Sequence, residues 1–346
     1  MYVGKKNPHG GDIYSHDTLL DLSSNMNPAG VPDAVKAAVR ASADSCAKYP
    51  DAYCRELRKA ISGREGLPDD CIICGNGAAE LIYSYAYSLP KESRALIISP
   101  TFSEYEDALK AADVAVDHYL LRETEGFRLT EDVLREDLPA YCAVFLCTPN
   151  NPTGITVDPG LLEDIAGTGV RLFCDMCFLD LTEDPGRYGI PSLIERYPNV
   201  TVLKAFTKSF SMAGLRLGYA MTSDRELLEE MSAKTQCWNV SSVAQQAGIA
   251  ALNCDDWLRE SVRMLSKERA RLTDELSSLG IKVWPSEANY LLLRTDKDLY
   301  GEMIRRRILI RDCSNYTGLE RGYYRIAVKT AKENDIFLTA LKEIIR

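Results

Sequence analysis

The sequence predicts an α/β fold in which helices cover both faces of a mostly parallel central sheet, with a smaller α+β domain following it. Three observations support this prediction. From about residue 45 to 235, short Val/Ile/Leu-rich segments alternate with helical segments, as in consecutive β-α-β units. Residues 242–278 then have the pattern of long helices with scattered apolar positions. Beyond residue 280, short strand-like segments precede a final helix.

The individual elements follow from the same patterns. Strands covered by helices on both faces are apolar at successive positions, which predicts strands at residues 95–98, 142–146 and 170–174. A helix is predicted over residues 81–88, after a glycine-rich segment. In the last part of the chain, strands are predicted around Val283 and at residues 290–293, 308–310 and 324–328, with a helix from about Glu333. We therefore predict an amino-terminal arm (residues 1–40), a large domain (41–240) and a small domain (241–346).

The composition excludes several classes of protein. The 346 residues suffice for two domains with a sizeable core. A formal charge of −9 argues against nucleic acid or an anionic membrane as the partner. No segment approaches the roughly 20 apolar residues that cross a bilayer, and residues 1–17 lack the apolar core of a signal peptide. We therefore expect a cytoplasmic protein.

The cysteine content also indicates a reducing compartment. Eleven cysteines, an odd number, are scattered through the chain, which is typical of free thiols rather than a disulfide framework. Two Cys-x-x-Cys pairs, Cys71/Cys74 and Cys174/Cys177, allow two interpretations. They are ligands of a four-thiolate zinc site or small apolar residues of buried strands. We favour the second interpretation and expect no metal.

Three polar residues follow one another at the spacing of β-α-β units. Asn151 lies in an Asn-Pro turn directly after one predicted strand, and Asp175 ends the next. Lys208 comes one such spacing later and is followed by Arg216 in a Gly-Leu-Arg segment. The ends of parallel strands are where α/β folds bind ligands. A lysine amine can attack an aldehyde, and an arginine can bind a phosphate. Taken singly, each residue could equally be an ordinary turn, cap or surface residue.

In this order, Asn151, Asp175, Lys208 and Arg216 resemble the class I/II aminotransferase family of pyridoxal phosphate enzymes, which have fold type I. The resemblance spans nearly the whole chain and implies pyridoxal phosphate as cofactor. It implies that Asp175 pairs with the ring nitrogen and keeps it protonated, so that the ring withdraws electrons. Asn151 would bond the phenolic oxygen, Arg216 would bind the phosphate, and Lys208 would hold the cofactor covalently and move protons.

Further positions fit the same site. Ala78 and Ala79 begin a helix after a glycine turn, and their backbone N–H groups would bind the cofactor phosphate. The resemblance implies that Phe102, otherwise a candidate core residue, stacks on the ring and that Thr207 contacts the phosphate. It also implies that Tyr49 reaches the phosphate of a neighbouring subunit, which makes the active unit a homodimer. In the family, the amino-terminal arm packs with the small domain.

Four residues outside this core concern the substrate. His9, Asn25, Arg311 and Arg325 resemble the positions that surround the substrate's phosphate in members of the family that decarboxylate threonine phosphate. Two arginines with neutral donors match a phosphate dianion well. If Arg325 holds this phosphate and not the α-carboxylate, the carboxylate can turn out of the ring plane and leave as carbon dioxide. The simpler alternatives are a solvent-facing His9 and arginines that form interdomain salt bridges.

The chain departs from many relatives at two positions. Phe178 stands where a tyrosine often bonds the phenolic oxygen, and Ala205 where a Ser or Thr often binds the phosphate. Three functions remain open. The first is a decarboxylase of threonine phosphate or of a similar small substrate such as serine phosphate. The second is an aminotransferase of the histidinol-phosphate type, and the third is a non-catalytic protein that binds pyridoxal phosphate.

Overall fold

A computed structural model describes residues 9–345. The first eight residues of the predicted arm and the last residue of the predicted small domain lie outside this range. The strands are β1 (Leu20–Asp21), β2 (Ile72–Gly75), β3 (Arg94–Ser99), β4 (Ala115–Leu120), β5 (Ala143–Cys147), β6 (Leu172–Asp175), β7 (Val200–Ala205), β8 (Gly218–Met221), β9 (Lys282–Val283), β10 (Tyr290–Arg294), β11 (Ile308–Leu309), β12 (Arg311–Asp312) and β13 (Tyr323–Ala327). The helices are α1 (Asp33–Ala41), α2 (Arg55–Glu65), α3 (Ala78–Tyr87), α4 (Glu104–Ala111), α5 (Pro159–Gly167), α6 (Ile190–Arg196), α7 (Phe206–Ser209), α8 (Arg225–Ala233), α9 (Ser242–Ala251), α10 (Asp255–Ser278), α11 (Leu299–Arg305) and α12 (Ala331–Ile345).

The central sheet has seven strands in the order β2-β8-β7-β6-β5-β3-β4. Strands β3 to β7 pair in parallel, whereas β8 runs antiparallel to both of its neighbours, β2 and β7. The prediction of a mostly parallel sheet with helices on both faces is therefore confirmed. The sheet brings the carboxyl ends of β5, β6 and β7 to one edge, with Cys147 directly opposite Asp175.

Hydrophobic clusters lie on both faces of this sheet. Every residue of β5 is buried. Its side chains alternate, because successive residues of a strand point to opposite faces. Val144 and Leu146 join one cluster, whereas Ala143 and Phe145 join the other. This two-sided burial is why the strand is apolar throughout and was recognisable in the sequence.

A second sheet, of four antiparallel strands in the order β12-β13-β10-β9, forms in the carboxyl-terminal part. Its central pair, β10 and β13, matches the predicted segments within one residue. The short strand β1 pairs in parallel with β11, where Leu20 is opposite Ile308. The segment after β1 continues this contact, since the N–H of Ala327 donates to the carbonyl oxygen of Leu22 at 2.8 Å.

The last helix begins earlier than predicted. α12 starts at Ala331, directly after Thr330. Thr330 Oγ1 accepts from the N–H of Glu333, and the Glu333 carboxylate accepts from the N–H of Thr330 at 3.1 Å. This is a capping box, which satisfies N–H groups that the first turn of a helix leaves unpaired. Within residues 9–345, no helix has the length and apolar character needed to span a membrane.

Candidate active site

A cavity of about 230 Å³ lies at the carboxyl edge of β5, β6 and β7. Apart from Tyr49, all the residues predicted to form the site line it. They are His9, Asn25, Ala78, Ala79, Phe102, Asn151, Asp175, Thr207, Lys208, Arg216, Arg311 and Arg325. The sheet explains part of this convergence, because parallel strands deliver the residues that follow them to one edge. Arg216 precedes the antiparallel strand β8, and the remainder come from the arm and from the carboxyl-terminal sheet.

Lys208 lies in the short helix α7, directly after β7. Burial lowers the pKa of its amine to about 8, and the positive charges of Arg325 and Arg216 add to this, against opposing contributions from Cys177 and Asp175. A lysine with a lowered pKa is partly neutral near physiological pH. It is therefore a nucleophile for an aldehyde.

Asp175, the last residue of β6, is buried with its carboxylate at the cavity. Its Oδ2 accepts a hydrogen bond of 2.6 Å from the hydroxyl of Tyr105, and its Oδ1 accepts one of 3.0 Å from the N–H of Cys177. One donor on each oxygen fixes the orientation of the carboxylate. Tyr105 was missed in the sequence analysis, although it lies three residues after Phe102, the spacing that puts two residues on one side of a helical turn.

The opposite end of the cavity fits a phosphate. Helix α3 begins at Ala78, directly after Gly77, which has a φ of +81°. A Cβ atom at Gly77 would lie 2.5 Å from Nη2 of Arg216, so only glycine allows the guanidinium to approach this closely. The unpaired N–H groups of a helix start and an arginine together bind phosphate groups. This part of the cavity therefore fits the phosphate of pyridoxal phosphate.

Arg325 is fixed at the inner wall of the cavity, with 5% of its surface exposed. Its Nη1 donates to Oδ1 of Asn151, and its Nη2 donates to the carbonyl oxygen of Ser23 at 2.6 Å. The buried Nε has no hydrogen-bond partner within the described chain. A buried donor without a partner destabilises a folded protein. The Nε–H of Arg325 is therefore a site at which an acceptor atom of a ligand can bind.

Arg311 stands directly opposite Arg325 in the register of β12 and β13. Its Nη2 donates to Oδ1 of Asn315 at 2.7 Å, and its guanidinium lies 5.1 Å from the centre of the Tyr316 ring. Like charges at directly opposite positions of a sheet repel each other. An anion in the cavity would remove this repulsion.

His9 and Asn25 complete the side of the cavity formed by the arm. Nε2 of His9 lies 2.6 Å from Oε1 of Glu104, and its ring centre is 5.5 Å from that of Phe102. The alternative of a solvent-facing His9 is therefore not what the structure describes. Asn25 is buried, and its Oδ1 has no hydrogen-bond partner in the described part of the chain.

The structure of one chain leaves Tyr49 outside the cavity. Its side chain is on the surface, with 77% of its area exposed, and stacks on Trp238 at 4.4 Å between ring centres. The predicted role of Tyr49 needs a second subunit, so it stays a prediction.

The two Cys-x-x-Cys pairs are too far apart to bind one zinc ion. β2 carries Cys74 and β6 carries Cys174, and these strands are separated by β8 and β7 in the sheet. Three strand spacings amount to roughly 14 Å, whereas four thiolates bind zinc at about 2.3 Å each.

Two further contacts to the site had no signal in the sequence. The hydroxyl of Tyr316 donates to Oδ1 of Asn151 at 3.3 Å. Asn27 is buried and holds the Lys208 loop, because its N–H donates to the carbonyl oxygen of Lys208 at 3.1 Å and its Nδ2 to that of Ser209 at 2.9 Å. Both residues come from segments distant in sequence, so only the tertiary fold reveals them.

Comparisons with known proteins agree with this arrangement. The family model of class I and II aminotransferases matches residues 17–341. A threonine-phosphate decarboxylase from Salmonella typhimurium is 37% identical, over 97% of this chain and 96% of its own. A histidinol-phosphate aminotransferase from Methanosphaera stadtmanae is 29% identical, over 96% and 92% of the two chains. The crystal structure of the histidinol-phosphate aminotransferase from Clostridium acetobutylicum superposes with a TM-score of 0.89 at 31% identity, covering 94% of this chain and 99% of that one.

Proposed function

Because the chain belongs to the class I and II aminotransferase family, we propose that it is a pyridoxal phosphate-dependent decarboxylase of a small phosphorylated amino acid. The proposed substrate is L-threonine phosphate and the proposed product is aminopropanol phosphate. This reaction would be a step of cobalamin biosynthesis. The 37% identity with a threonine-phosphate decarboxylase supports this choice.

The observation that carries the proposal is the pairing of Arg311 with Arg325 at the cavity that contains Lys208 and Asp175. A phosphate monoester carries close to two negative charges, and two guanidinium groups can bind it through several charge-assisted hydrogen bonds. His9 and Asn25 would add polar contacts from the arm.

Pyridoxal phosphate supplies an electron-withdrawing ring, which stabilises the negative charge left on the substrate's α-carbon when one of its bonds breaks. The chain's own residues hold and orient this group. Lys208 would attach to its aldehyde through the side-chain amine and would return a proton to the α-carbon. Asp175 holds the proton of the ring nitrogen, and Asn151 bonds the phenolic oxygen. Residues at the other end bind the phosphate, namely Ala78, Ala79, Thr207 and Arg216, while Phe102 covers one face of the ring.

The orientation of the substrate decides which bond breaks. The bond that stands perpendicular to the ring plane is the one cleaved, because only that bond overlaps with the ring's π orbitals. If Arg311 and Arg325 both bind the phosphate, the α-carboxylate is free to occupy this perpendicular position.

A second candidate function is an aminotransferase of the histidinol-phosphate type. The hydrogen bond between Arg325 and Asn151 favours it, because it holds the guanidinium beside the residue expected at the phenolic oxygen. Histidinol phosphate has no carboxylate, but an arginine held there can bind the α-carboxylate of glutamate, the amino acid that pairs with 2-oxoglutarate, in the ring plane. That grip protects the carboxylate and exposes the Cα–H bond.

Product analysis separates the two functions. The purified protein is incubated with threonine phosphate or with histidinol phosphate, each with and without 2-oxoglutarate. Aminopropanol phosphate formed without 2-oxoglutarate supports the decarboxylase. Turnover that depends on 2-oxoglutarate supports the aminotransferase. A purified protein that binds pyridoxal phosphate but converts neither compound under any condition would point to the non-catalytic alternative.

We further propose that the protein is a cytoplasmic homodimer. Tyr49 and Trp238 form an exposed stacked pair, and such an aromatic surface suits burial against a second subunit. In this dimer, Tyr49 would reach the cofactor phosphate of the neighbouring subunit. The proposed division into an arm (1–40), a large domain (41–240) and a small domain (241–346) puts the active site between the domains.

A further inference from the structure

The hydroxyl of Tyr105 donates to Oδ2 of Asp175 at 2.6 Å, on the carboxylate that lines the cavity. We propose that Tyr105 is a positioning residue that holds Asp175 as an oriented anion against the ring nitrogen of the cofactor. This inference rests on the proposed function only in so far as pyridoxal phosphate is bound beside Asp175. It applies equally to decarboxylation and to transamination.

The side chain of Tyr105 is held in place by burial and by aromatic packing. It is fully buried in α4, and its ring packs edge-on against Phe102 at 5.8 Å and beside Phe145 at 5.9 Å between centres. Burial raises the pKa of its phenol well above the usual value, and the charge of Asp175 adds to this. The phenol therefore keeps its proton and acts as the donor.

The hydroxyl of Tyr105 makes a contact with Asp175 that the other groups around this carboxylate do not make. The titratable groups facing the carboxylate include Cys147 from β5, Cys177 from the turn after β6, and Lys208 from α7. Burial raises the pKa of both thiols well above the usual value, so they are neutral. The N–H of Cys177 bonds Oδ1, which leaves the phenol of Tyr105 to orient Oδ2. A hydrogen bond to an ionised acceptor is stronger than one between neutral groups.

The position of Tyr105 also links Asp175 to the other side of the cavity. Helix α4 begins with Glu104, which contacts His9, and Phe102 precedes it. The first turn of α4 therefore contacts both Asp175 and His9 of the arm, and it directly follows Phe102, the residue expected on the ring face. Tyr105→Phe removes the contact with Asp175 by removing one hydroxyl group.

Tyr85 provides a matched control. It is fully buried in α3 and packs against two rings that Tyr105 also contacts, Phe145 at 5.6 Å and Phe173 at 4.6 Å between centres. Its hydroxyl has no hydrogen-bond partner within residues 9–345. Tyr85→Phe thus removes a buried hydroxyl from the same aromatic cluster without touching Asp175.

The test measures equilibrium binding to the apoprotein, without substrate, of pyridoxal phosphate and of an analogue in which a carbon replaces the ring nitrogen. Tyr105→Phe should weaken binding of pyridoxal phosphate by roughly two- to tenfold, the cost of ordering one freed side chain when the ligand binds. Binding of the analogue should change little, and Tyr85→Phe should affect neither ligand. Equal losses for the two ligands, or no loss in Tyr105→Phe, would overturn the proposal.

A double-variant cycle with Asp175→Asn checks that the effect passes through the carboxylate. In that background, Tyr105→Phe should no longer change the ratio of the two binding constants, and a persistent change would overturn the proposal. Thermal unfolding of each variant identifies a loss of fold. If Tyr105→Phe does not fold, 4-fluorophenylalanine at position 105 replaces it in both measurements, because that residue is close to tyrosine in size but has no hydroxyl to donate. Because no substrate is present, failure here is distinct from failure of the proposed reaction.

Discussion

Arg325 and Asn151 share a buried hydrogen bond, in which Nη1 of the arginine donates to Oδ1 of the amide. The residue expected at the substrate is therefore held by the residue expected at the cofactor. Arg311 is held differently, since its guanidinium bonds Asn315 and lies over Tyr316. Arg311 reaches Asn151 only through the ring of Tyr316, so changes in Arg311 should act mainly on the substrate.

We predict that Arg311→Ala lowers kcat/KM for threonine phosphate. The loss in transition-state stabilisation should be about 2–5 kcal/mol, the cost of removing one partner from a charged hydrogen-bonded contact. Unphosphorylated threonine, a poor substrate from the start, should be affected far less, and the affinity for pyridoxal phosphate should not change. Arg321→Ala, on the exposed segment before β13, is the control. Equal losses for phosphorylated and unphosphorylated substrates would show that Arg311 has a structural role.

Lys208→Ala should abolish turnover while leaving the fold intact. In the proposed mechanism, this amine both attaches the cofactor and returns a proton to the α-carbon. Carbon dioxide release and circular dichroism measure the two properties, and Lys234→Ala, an exposed lysine at the end of α8, is the control. Substantial residual turnover in Lys208→Ala would remove this lysine from the mechanism.

The lowered pKa of Lys208 predicts how attachment of the cofactor depends on pH. Below a pH of about 8 the amine is mostly protonated and cannot attack the aldehyde, whereas above it the neutral form dominates. The rate at which the apoprotein captures pyridoxal phosphate should therefore rise with pH and level off above about 8. Stopped-flow absorbance measures this rate. A midpoint near 10.5, the usual value for a lysine, would contradict the effect of burial.

A buried ion cluster on β7 predicts a large effect on stability. Nζ of Lys204 lies 2.9 Å from Oε1 of Glu65 and 2.8 Å from Oδ1 of Asp180, and all three side chains are largely buried. Lys204→Met would leave two carboxylates without the lysine that pairs with both, so we expect a loss of about 3–5 kcal/mol in the free energy of unfolding. Lys36→Met removes the exposed pair with Asp33 and should cost less than about 1 kcal/mol. Urea unfolding measures both, and similar values for the two variants would disprove the prediction.

The proposed homodimer predicts that Tyr49, which lies outside the cavity of its own chain, affects cofactor binding. Sedimentation should give a dimer, and Tyr49→Phe should weaken cofactor binding by about tenfold or more, since one hydrogen bond to a charged phosphate is lost. Tyr14→Phe changes another exposed tyrosine and should have no effect. A monomer that binds the cofactor as tightly as the dimer would refute the role of Tyr49.

The parts of the fold that follow a local pattern were predictable from the sequence. β5 is buried on both faces and is apolar throughout, and Asn151, Asp175 and Lys208 follow strands that end at one edge of the sheet. The cap at Thr330 is also present in the sequence as Thr-x-x-Glu, and it puts the start of α12 two residues before the predicted start.

Contacts between distant segments were not predictable in the same way. Tyr105 meets Asp175 across 70 positions, and Asn27 meets Ser209 across 182. No periodicity or spacing encodes such pairs, because they depend on how the arm and α4 pack against the sheet. The buried position of Lys204 had no local signal either, since lysines are rarely buried unless they are paired.

The most direct test of the proposed reaction follows the carboxyl carbon of the substrate. Threonine phosphate labelled with carbon-13 at the carboxylate is incubated with the enzyme and pyridoxal phosphate, without any keto acid, and observed by NMR. We predict that the label appears as carbon dioxide and bicarbonate, in proportion to the aminopropanol phosphate formed. A label that stays in a carboxylate, and that moves into a keto acid only after 2-oxoglutarate is added, would contradict decarboxylation.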